Sequence, residues 1–232
     1  MLVKQFKYSA DNLGYLAYSG NIGIAIDAGN VKDTLTFAKD NNIEIKYVTN
    51  THSHYDHIPG NNDLLKETGA EFIDCKGIQS DKEIALGNEI MEVFFTPGHS
   101  EDSIVFKAED FLITGDTLFN GTIGNCFTGD LNAFFQSLKR LIVFPGNTKI
   151  YSGHDYVREA MEIARSIDKD NPHIEKYIRK LSARPIVSTL DDELLVNPYI
   201  RFNDPGIIDI LQKKNVPAST EFERFKSIME IY

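Results

Sequence analysis

Cysteine is scarce: Cys75 and Cys126 are the only two in 232 residues. Two thiols that far apart build neither a disulfide framework nor a CxxC metal or redox motif, and they read as free thiols in a reducing compartment. Long apolar runs are missing too. Nowhere do about 18 apolar residues occur together, and the N-terminal stretch with Lys4 and Lys7 has no apolar segment behind it. The expectation is a cytoplasmic chain with no membrane partner. Positive charge is in deficit, with 24 Lys and Arg against 34 Asp and Glu for a net of −10. Such a field repels a phosphate backbone, which argues against nucleic acid as a partner. No internal repeat and no proline- or serine-rich linker divides the chain. With 42% hydrophobic and 25% charged residues, what remains is an ordinary globular composition, long enough for one core-bearing domain with a small extension.

Patterning supplies the organisation. Ile22, Ile24 and Ile26 alternate with smaller residues up to Asp27, and the apolar stretch from Ile43 to Asn50 reads as a second strand running into a charged loop. Residues 61–68 suggest a short helix stopped by Gly69, and residues 71–74 return to strand character. Residues 89–96, 103–108 and 111–114 are three further β-rich runs, the last two joined as a hairpin through Glu109 and Asp110. Asp130 is a suitable N-cap for a helix carrying Phe134, Leu138 and Leu141 on one face, and residues 149–152 form one more strand. From Val157 onward the spacing is helical, with Ile163 and Ile167, then Ile174, Ile178 and Leu181, then residues 207–213 and 222–228. Charge divides at the same point. Residues 1–156 hold 12 basic and 21 acidic residues, whereas 157–232 hold 12 and 13.

The chemistry lies in the acidic part. His52, His54, Asp56 and His57 place three imidazoles and a carboxylate within six residues at the end of a strand. His99, Asp116 and His154 each follow a strand as well, and strand-to-loop junctions are where such folds hold ligands. Five of the six histidines fall in these motifs and only His173 stands apart. Imidazole and carboxylate together are donors for first-row divalent ions, and one loop can turn His52 and His54 to one side and Asp56 and His57 to another. Without a metal or partner, so many buried polar groups would be costly. Thr51, Thr96, Thr117 and Asp27, each beside a ligand or at a strand end, are candidates to hydrogen-bond those ligands. Zinc is the default ion for such a set, and iron or manganese fit it too.

The spacing His52-x-His54-x-Asp56-His57, followed by His99, Asp116 and His154, resembles the ligand set of the metallo-β-lactamase superfamily. Within it the chain is most similar to glyoxalase II, the hydroxyacylglutathione hydrolases, through residues 114–119, 153–156, Ser188-Thr189-Leu190 and the stretch from Asn197 to Arg201. The resemblance implies an α+β, four-layer αββα sandwich over residues 1–156 with a C-terminal helical extension over 157–232 that helps bind substrate. It implies two divalent metal ions, the first on His52, His54 and His99, the second on Asp56, His57 and His154, with Asp116 bridging them. Asp56 and Asp116 carry the catalytic roles. The implied reaction is hydrolysis of a small-molecule thioester, of a 2-hydroxyacyl group such as lactoyl and a low-molecular-weight thiol, by hydroxide generated at the metals.

The chain also departs from that family. A basic residue and an aromatic hydroxyl that hold glutathione correspond here to Asn125 and Phe127, and the basic residue that often follows the Asn-Pro-x-x-Arg stretch gives way to Asn203 and Asp204. Tyr156 and Arg201 remain as contacts for the thiol half, Arg201 as a bidentate clamp on a carboxylate. Thioester hydrolysis is therefore better supported than glutathione as the thiol. The nearest rival is a persulfide dioxygenase with a single iron; lactonases and nucleases share the motif. The oligomeric state and the identity of both halves of the substrate stay open at this point.

Overall fold

Side-chain alternation across two sheets decides the architecture. The computed structural model describes residues 1–231. The first sheet contains β1 (Leu2–Lys7), β2 (Leu13–Ser19), β3 (Ile22–Ile26), β4 (Glu44–Thr49) and β5 (Glu71–Ile73) side by side in chain order. It is antiparallel through β3 and parallel from there on. Parallel neighbours need crossovers, and α1 (Val31–Asp40) and α2 (Asn61–Thr68) supply them. The second sheet has the order β11-β10-β9-β8-β7-β6, built from β6 (Lys82–Leu86), β7 (Glu89–Phe95), β8 (Ile104–Ala108), β9 (Phe111–Gly115), β10 (Lys149–Ser152) and β11 (Ser188–Thr189). Only β9 and β10 are parallel, and α3 (Leu131–Leu141) crosses between them.

Successive strand residues point to opposite faces, and this sorts the core into layers. Leu13, Tyr15, Ile24 and Ile26 of the first sheet meet Ile104, Phe106, Phe111 and Ile113 of the second between the sheets. The outward set Leu16, Ala25, Ile45 and Val48 is covered by Ala38 of α1 and Leu64 of α2. On the far side Val105, Leu112 and Ile150 are covered by Phe134, Leu138 and Leu141 of α3, and by Phe225 and Ile228 of α8 (Glu221–Ile231). Helix, sheet, sheet, helix is thus the layer order, the expected αββα sandwich. Asp130 caps α3 by accepting the Ala133 amide at 2.9 Å, as its sequence position suggests.

The C-terminal stretch holds α4 (Val157–Ile167), α5 (Ile174–Lys180), α6 (Leu190–Val196) and α7 (Pro205–Lys213) besides α8. It is not helical throughout, because Ser188 and Thr189 add β11 antiparallel to β10. Val157, Met161, Ile174 and Tyr177 of α4 and α5 join the core between the sheets, so the last third of the chain is knit into the sandwich. Besides β2 and β11, three elements escape the sequence pattern. The edge strand β1 puts Lys4 and Lys7 on opposite faces among Leu2, Val3 and Phe6, so no clean alternation shows, β6 is short and charged, and α1 buries only Thr34 and Ala38. Among the described residues no helix is long and apolar enough to cross a membrane.

Candidate metal centre

Five strands end at one edge of the sandwich, and each delivers a polar residue there: Asp27 after β3, residues 52–57 after β4, His99 after β7, Asp116 after β9 and His154 after β10. The β4 loop is fixed from within, since the Asn50 side-chain amide donates to the His57 carbonyl at 2.7 Å. Asp27, fully buried at a left-handed φ of 50°, fixes it from outside. Its carboxylate accepts the Thr51 amide at 2.8 Å, the Thr51 hydroxyl at 2.6 Å and His57 Nδ1 at 3.0 Å. Thr96 and Thr117 pair hydroxyl to hydroxyl at 3.3 Å beneath the loops of His99 and Asp116.

These partners set the ring tautomers. Thr51 spends its one proton on Asp27, so at 3.1 Å its oxygen accepts from His52 Nδ1. His99 Nδ1 donates to the Asn125 carbonyl at 3.0 Å, His57 Nδ1 to Asp27, and His154 Nδ1 to Asp11 at 2.9 Å. Four imidazoles therefore turn Nε2 to one centre, each held by the hydrogen bond at its other nitrogen, the arrangement metal-ligating histidines use.

The inward atoms form two groups. His52 Nε2 and His99 Nε2 lie 2.9 and 3.1 Å from His54 Nδ1. In the second group His57 Nε2 and His154 Nε2 are 3.2 Å apart, and Asp56 Oδ2 is 3.6 and 3.3 Å from them. Asp116 stands between. Its Oδ1 is 3.5 Å from His57 Nε2, while Oδ2 is 3.5 Å from both His99 and His154 and 3.9 Å from His52. Its Oδ1 is buried without a hydrogen-bond partner, an orphan that in a folded protein calls for an ion or a donor. Only glycine fits at 153, because a Cβ there would sit 2.1 Å from that same oxygen.

Charge and burial agree with a cation in this place. Burial pulls His52 down to about 3 and His99 below its ordinary range, leaving both rings neutral with free lone pairs. With the lone pairs of His52 Nε2 and His99 Nε2 turned on His54 Nδ1 at 2.9 and 3.1 Å, a cation or a shared proton is needed to hold the three nitrogens together. For His57 and His154 burial acts downward as well, but the carboxylates around them, Asp27 and Asp116 for the first and Asp116 and Asp11 for the second, outweigh it and hold both raised. The negative field that attracts a proton there would equally hold a divalent ion, which would have to displace that proton. The residues present thus fit a divalent metal.

The centre opens into a cleft of about 460 Å³ whose walls include Tyr55, Phe119, Asn125, Phe127 and Tyr156. Tyr156 stacks on His154 at 4.8 Å between ring centres, and Phe127 sets its ring edge-on against His99 at 5.2 Å and His54 at 5.8 Å. Asn125, Phe127 and Tyr156 therefore all reach the cleft, as the sequence suggests. Arg201 does not. Its guanidinium is buried against Asp168 at 2.9 Å and Asp204 at 3.2 Å, so the expected carboxylate clamp is already closed on two acids of its own chain. Breaking a fully buried pair costs roughly 3–5 kcal/mol, and these acids are partly solvated. Arg201→Ala is expected to lower stability by about 2 kcal/mol and Tm by about 6 °C, with KM for substrate unchanged. Thermal melts beside steady-state kinetics check this, and a raised KM at constant Tm would restore the clamp.

Sequence reasoning missed three contributors from the β1–β2 turn. Asp11 orients His154, the Asn12 side chain donates to Asp56 Oδ2 at 3.0 Å, and the Tyr8 hydroxyl donates to the Asp56 carbonyl at 2.9 Å. Phe119, between Asp116 and Asn125, is the fourth and walls the cleft. His173 lies exposed at the start of α5, outside the centre.

The chain is similar to known proteins over most of its length. Residues 14–73 match the metallo-beta-lactamase superfamily, and residues 155–231 match the hydroxyacylglutathione hydrolase C-terminus. A hydroxyacylglutathione hydrolase of Pelagibacter ubique is 32% identical over 212 residues, covering 82% of this chain and 89% of that one. Among solved structures, ETHE1 from Myxococcus xanthus superposes with a TM-score of 0.71 at 23% identity over 99% of this chain and 90% of its own. TTHA1623 in a di-iron-bound form reaches 0.60 at 20% identity over 86% and 100%.

Proposed function

Because this chain belongs to the hydroxyacylglutathione hydrolase family within the metallo-beta-lactamase superfamily, we propose that it hydrolyses thioesters of a small acyl group and a low-molecular-weight thiol at a centre for two divalent ions. His52, His54 and His99 would hold the first ion, Asp56, His57 and His154 the second, and Asp116 would bridge them. The observation that carries this reading is Asp116, among the described residues the one carboxylate within 4 Å of both groups, with an otherwise orphaned oxygen. When bound, such ions supply hydroxide at neutral pH and a positive charge facing the acyl oxygen.

The chain's own groups do the rest. Asp56 and Asp116 offset part of the metal charge, and Asp27, Asp11 and the Asn125 carbonyl keep the rings aimed. Phe119, Phe127 and Tyr156 would flank the reacting carbonyl with aromatic surface. No protonated acid is needed for the leaving group, because a thiol of pKa about 8.5 departs as thiolate. Zinc is the default for these donors, and iron and manganese suit the same set.

The thiol half is set by what lines the cleft and the adjoining hollow of Thr122, Ile123, Tyr199 and Met229. Among the described residues neither carries a lysine or arginine on its wall, and Glu159 is the added charge. This supports a thiol that is not anchored through carboxylates. The expected outcome is two ions per chain and cleavage of lactoylglutathione and a coenzyme A thioester with kcat/KM values within about tenfold of each other. Metal analysis and a thiol-release assay on the same preparation test it. One iron per chain with oxygen uptake on a persulfide, and no thioester cleavage, would replace the hydrolase with a dioxygenase.

A further inference from the structure

Glu193 of α6 is fully buried and, among the described residues, pairs with no cation, a costly placement for a carboxylate. Burial pushes its carboxyl up to about 7, against the pull of four hydrogen-bond donors. The donors come from four segments. Ser188 of β11 donates to Oε1 at 2.5 Å, and the Tyr177 hydroxyl of α5 donates to the same oxygen. On Oε2 the Gly121 amide donates at 2.8 Å and the Asn197 side chain at 3.2 Å.

Three of these contacts lead to the candidate metal centre, along two routes. Gly121 lies midway along the loop that begins at Asp116 and ends at Asn125, whose carbonyl holds His99 Nδ1. Asn197 clasps that loop a second time by donating to the Thr122 carbonyl at 2.9 Å. The other route runs through Ser188: Asn120 donates to its hydroxyl at 2.7 Å, and the Ser152 hydroxyl, two residues before His154, shares its one proton between the Asn120 side-chain oxygen at 2.8 Å and the His154 carbonyl at 2.9 Å. Every side chain on this route is at most 1% exposed, so water offers no substitute partner.

We propose that Glu193 is a positioning residue of the metal centre: one carboxylate from the C-terminal helices sets both the loop that carries Asp116 and Asn125 and the strand end that carries His154. The inference rests on reading the centre as a metal site, and it concerns residues that touch neither metal nor substrate. Outer partners of this kind typically govern about ten- to a hundredfold in metal affinity or activity.

Glu193→Gln keeps the shape but turns an NH2 group toward donors, and Ser188→Ala cuts only the route to His154. Tyr177→Phe removes a donor while keeping the ring, as a control for lost stability. Three quantities are compared with wild type: zinc affinity by chelator competition, hydrogen exchange of residues 117–125 in metal-free protein, and Tm. Glu193→Gln is expected to weaken zinc about ten- to a hundredfold and to speed exchange at Gly121, with kcat lowered and KM within about twofold. Ser188→Ala is expected to weaken zinc less and to leave Gly121 protected. Tyr177→Phe is expected to hold zinc as wild type does, whatever its Tm. Zinc affinity unchanged in Glu193→Gln, or falling equally in Tyr177→Phe at equal loss of Tm, overturns the proposal. If wild type takes up no metal, the reading of the centre fails, and unchanged exchange at residues 117–125 in Glu193→Gln then overturns the positioning role separately.

Discussion

Asp116→Asn is expected to lower kcat/KM for any thioester substrate by about a thousandfold or more, roughly 4 kcal/mol of transition-state stabilisation, and to remove at least one ion per chain. The carboxylate lies within 4 Å of four imidazole nitrogens from both groups, so no neighbour can take over its bridging position. Asparagine has the same shape but offers one acceptor and an NH2 group, and it withdraws a negative charge that two divalent ions would need. The metal-free fold should survive the change, because an amide at that site can donate to the neutral rings of His52 and His99, as the carboxylate cannot. Metal content, a thermal melt in chelator and steady-state rates on one preparation separate these effects. Full metal content together with wild-type kcat would remove Asp116 from the centre.

The second large effect is expected at a residue that touches no ion. Asp27→Ala leaves the Thr51 amide, the Thr51 hydroxyl and His57 Nδ1 without their shared acceptor, all three buried. An unsatisfied buried donor costs about 1–3 kcal/mol, and the three losses overlap, so a total of about 4 kcal/mol is expected. That corresponds to a fall in Tm of about 12 °C for a chain of this length. The freed Thr51 hydroxyl no longer needs to accept from His52, and His57 loses the bond that fixes its tautomer. Metal affinity should therefore drop by about ten- to a hundredfold in the fraction that remains folded. Asp27→Asn, which keeps an acceptor for two of the three donors, should recover part of the stability. A variant that melts early yet binds zinc as tightly as wild type would reduce Asp27 to a structural anchor.

The candidate metal centre was legible in the sequence because the residues that the structure brings together there cluster in the chain. Residues 52–57 lie together, and His99, Asp116 and His154 each sit in a short turn after an apolar strand, so both composition and position mark them. Asp11, Asn12 and Tyr8 carry no such mark. They act on residues more than 40 positions away, His154 and Asp56, and come from a turn whose flanking edge strand has a weak apolar rhythm. Arg201 shows the converse error. The family resemblance of the Asn-Pro-x-x-Arg stretch suggests that Arg201 clamps a carboxylate of the thiol half, but Asp168, which neutralises it, lies 33 residues away in the chain and pairs with it only in three dimensions. Glu193 was read only as part of a helical run, since burial without a cation is visible only once the strands and helices have met.

The bridge between Asn12 and His154 joins positions 142 apart, and Glu193 reaches Gly121 across 72. During synthesis the histidine-rich loop after β4 therefore leaves the ribosome well before the strand end and helices that complete its surroundings. Contacts of such long range form late, after local helices and hairpins have assembled. The Asn12–His154 and Glu193–Gly121 contacts thus close only once the last strand and helices have docked, so the candidate centre is completed at the end of folding and not at its start.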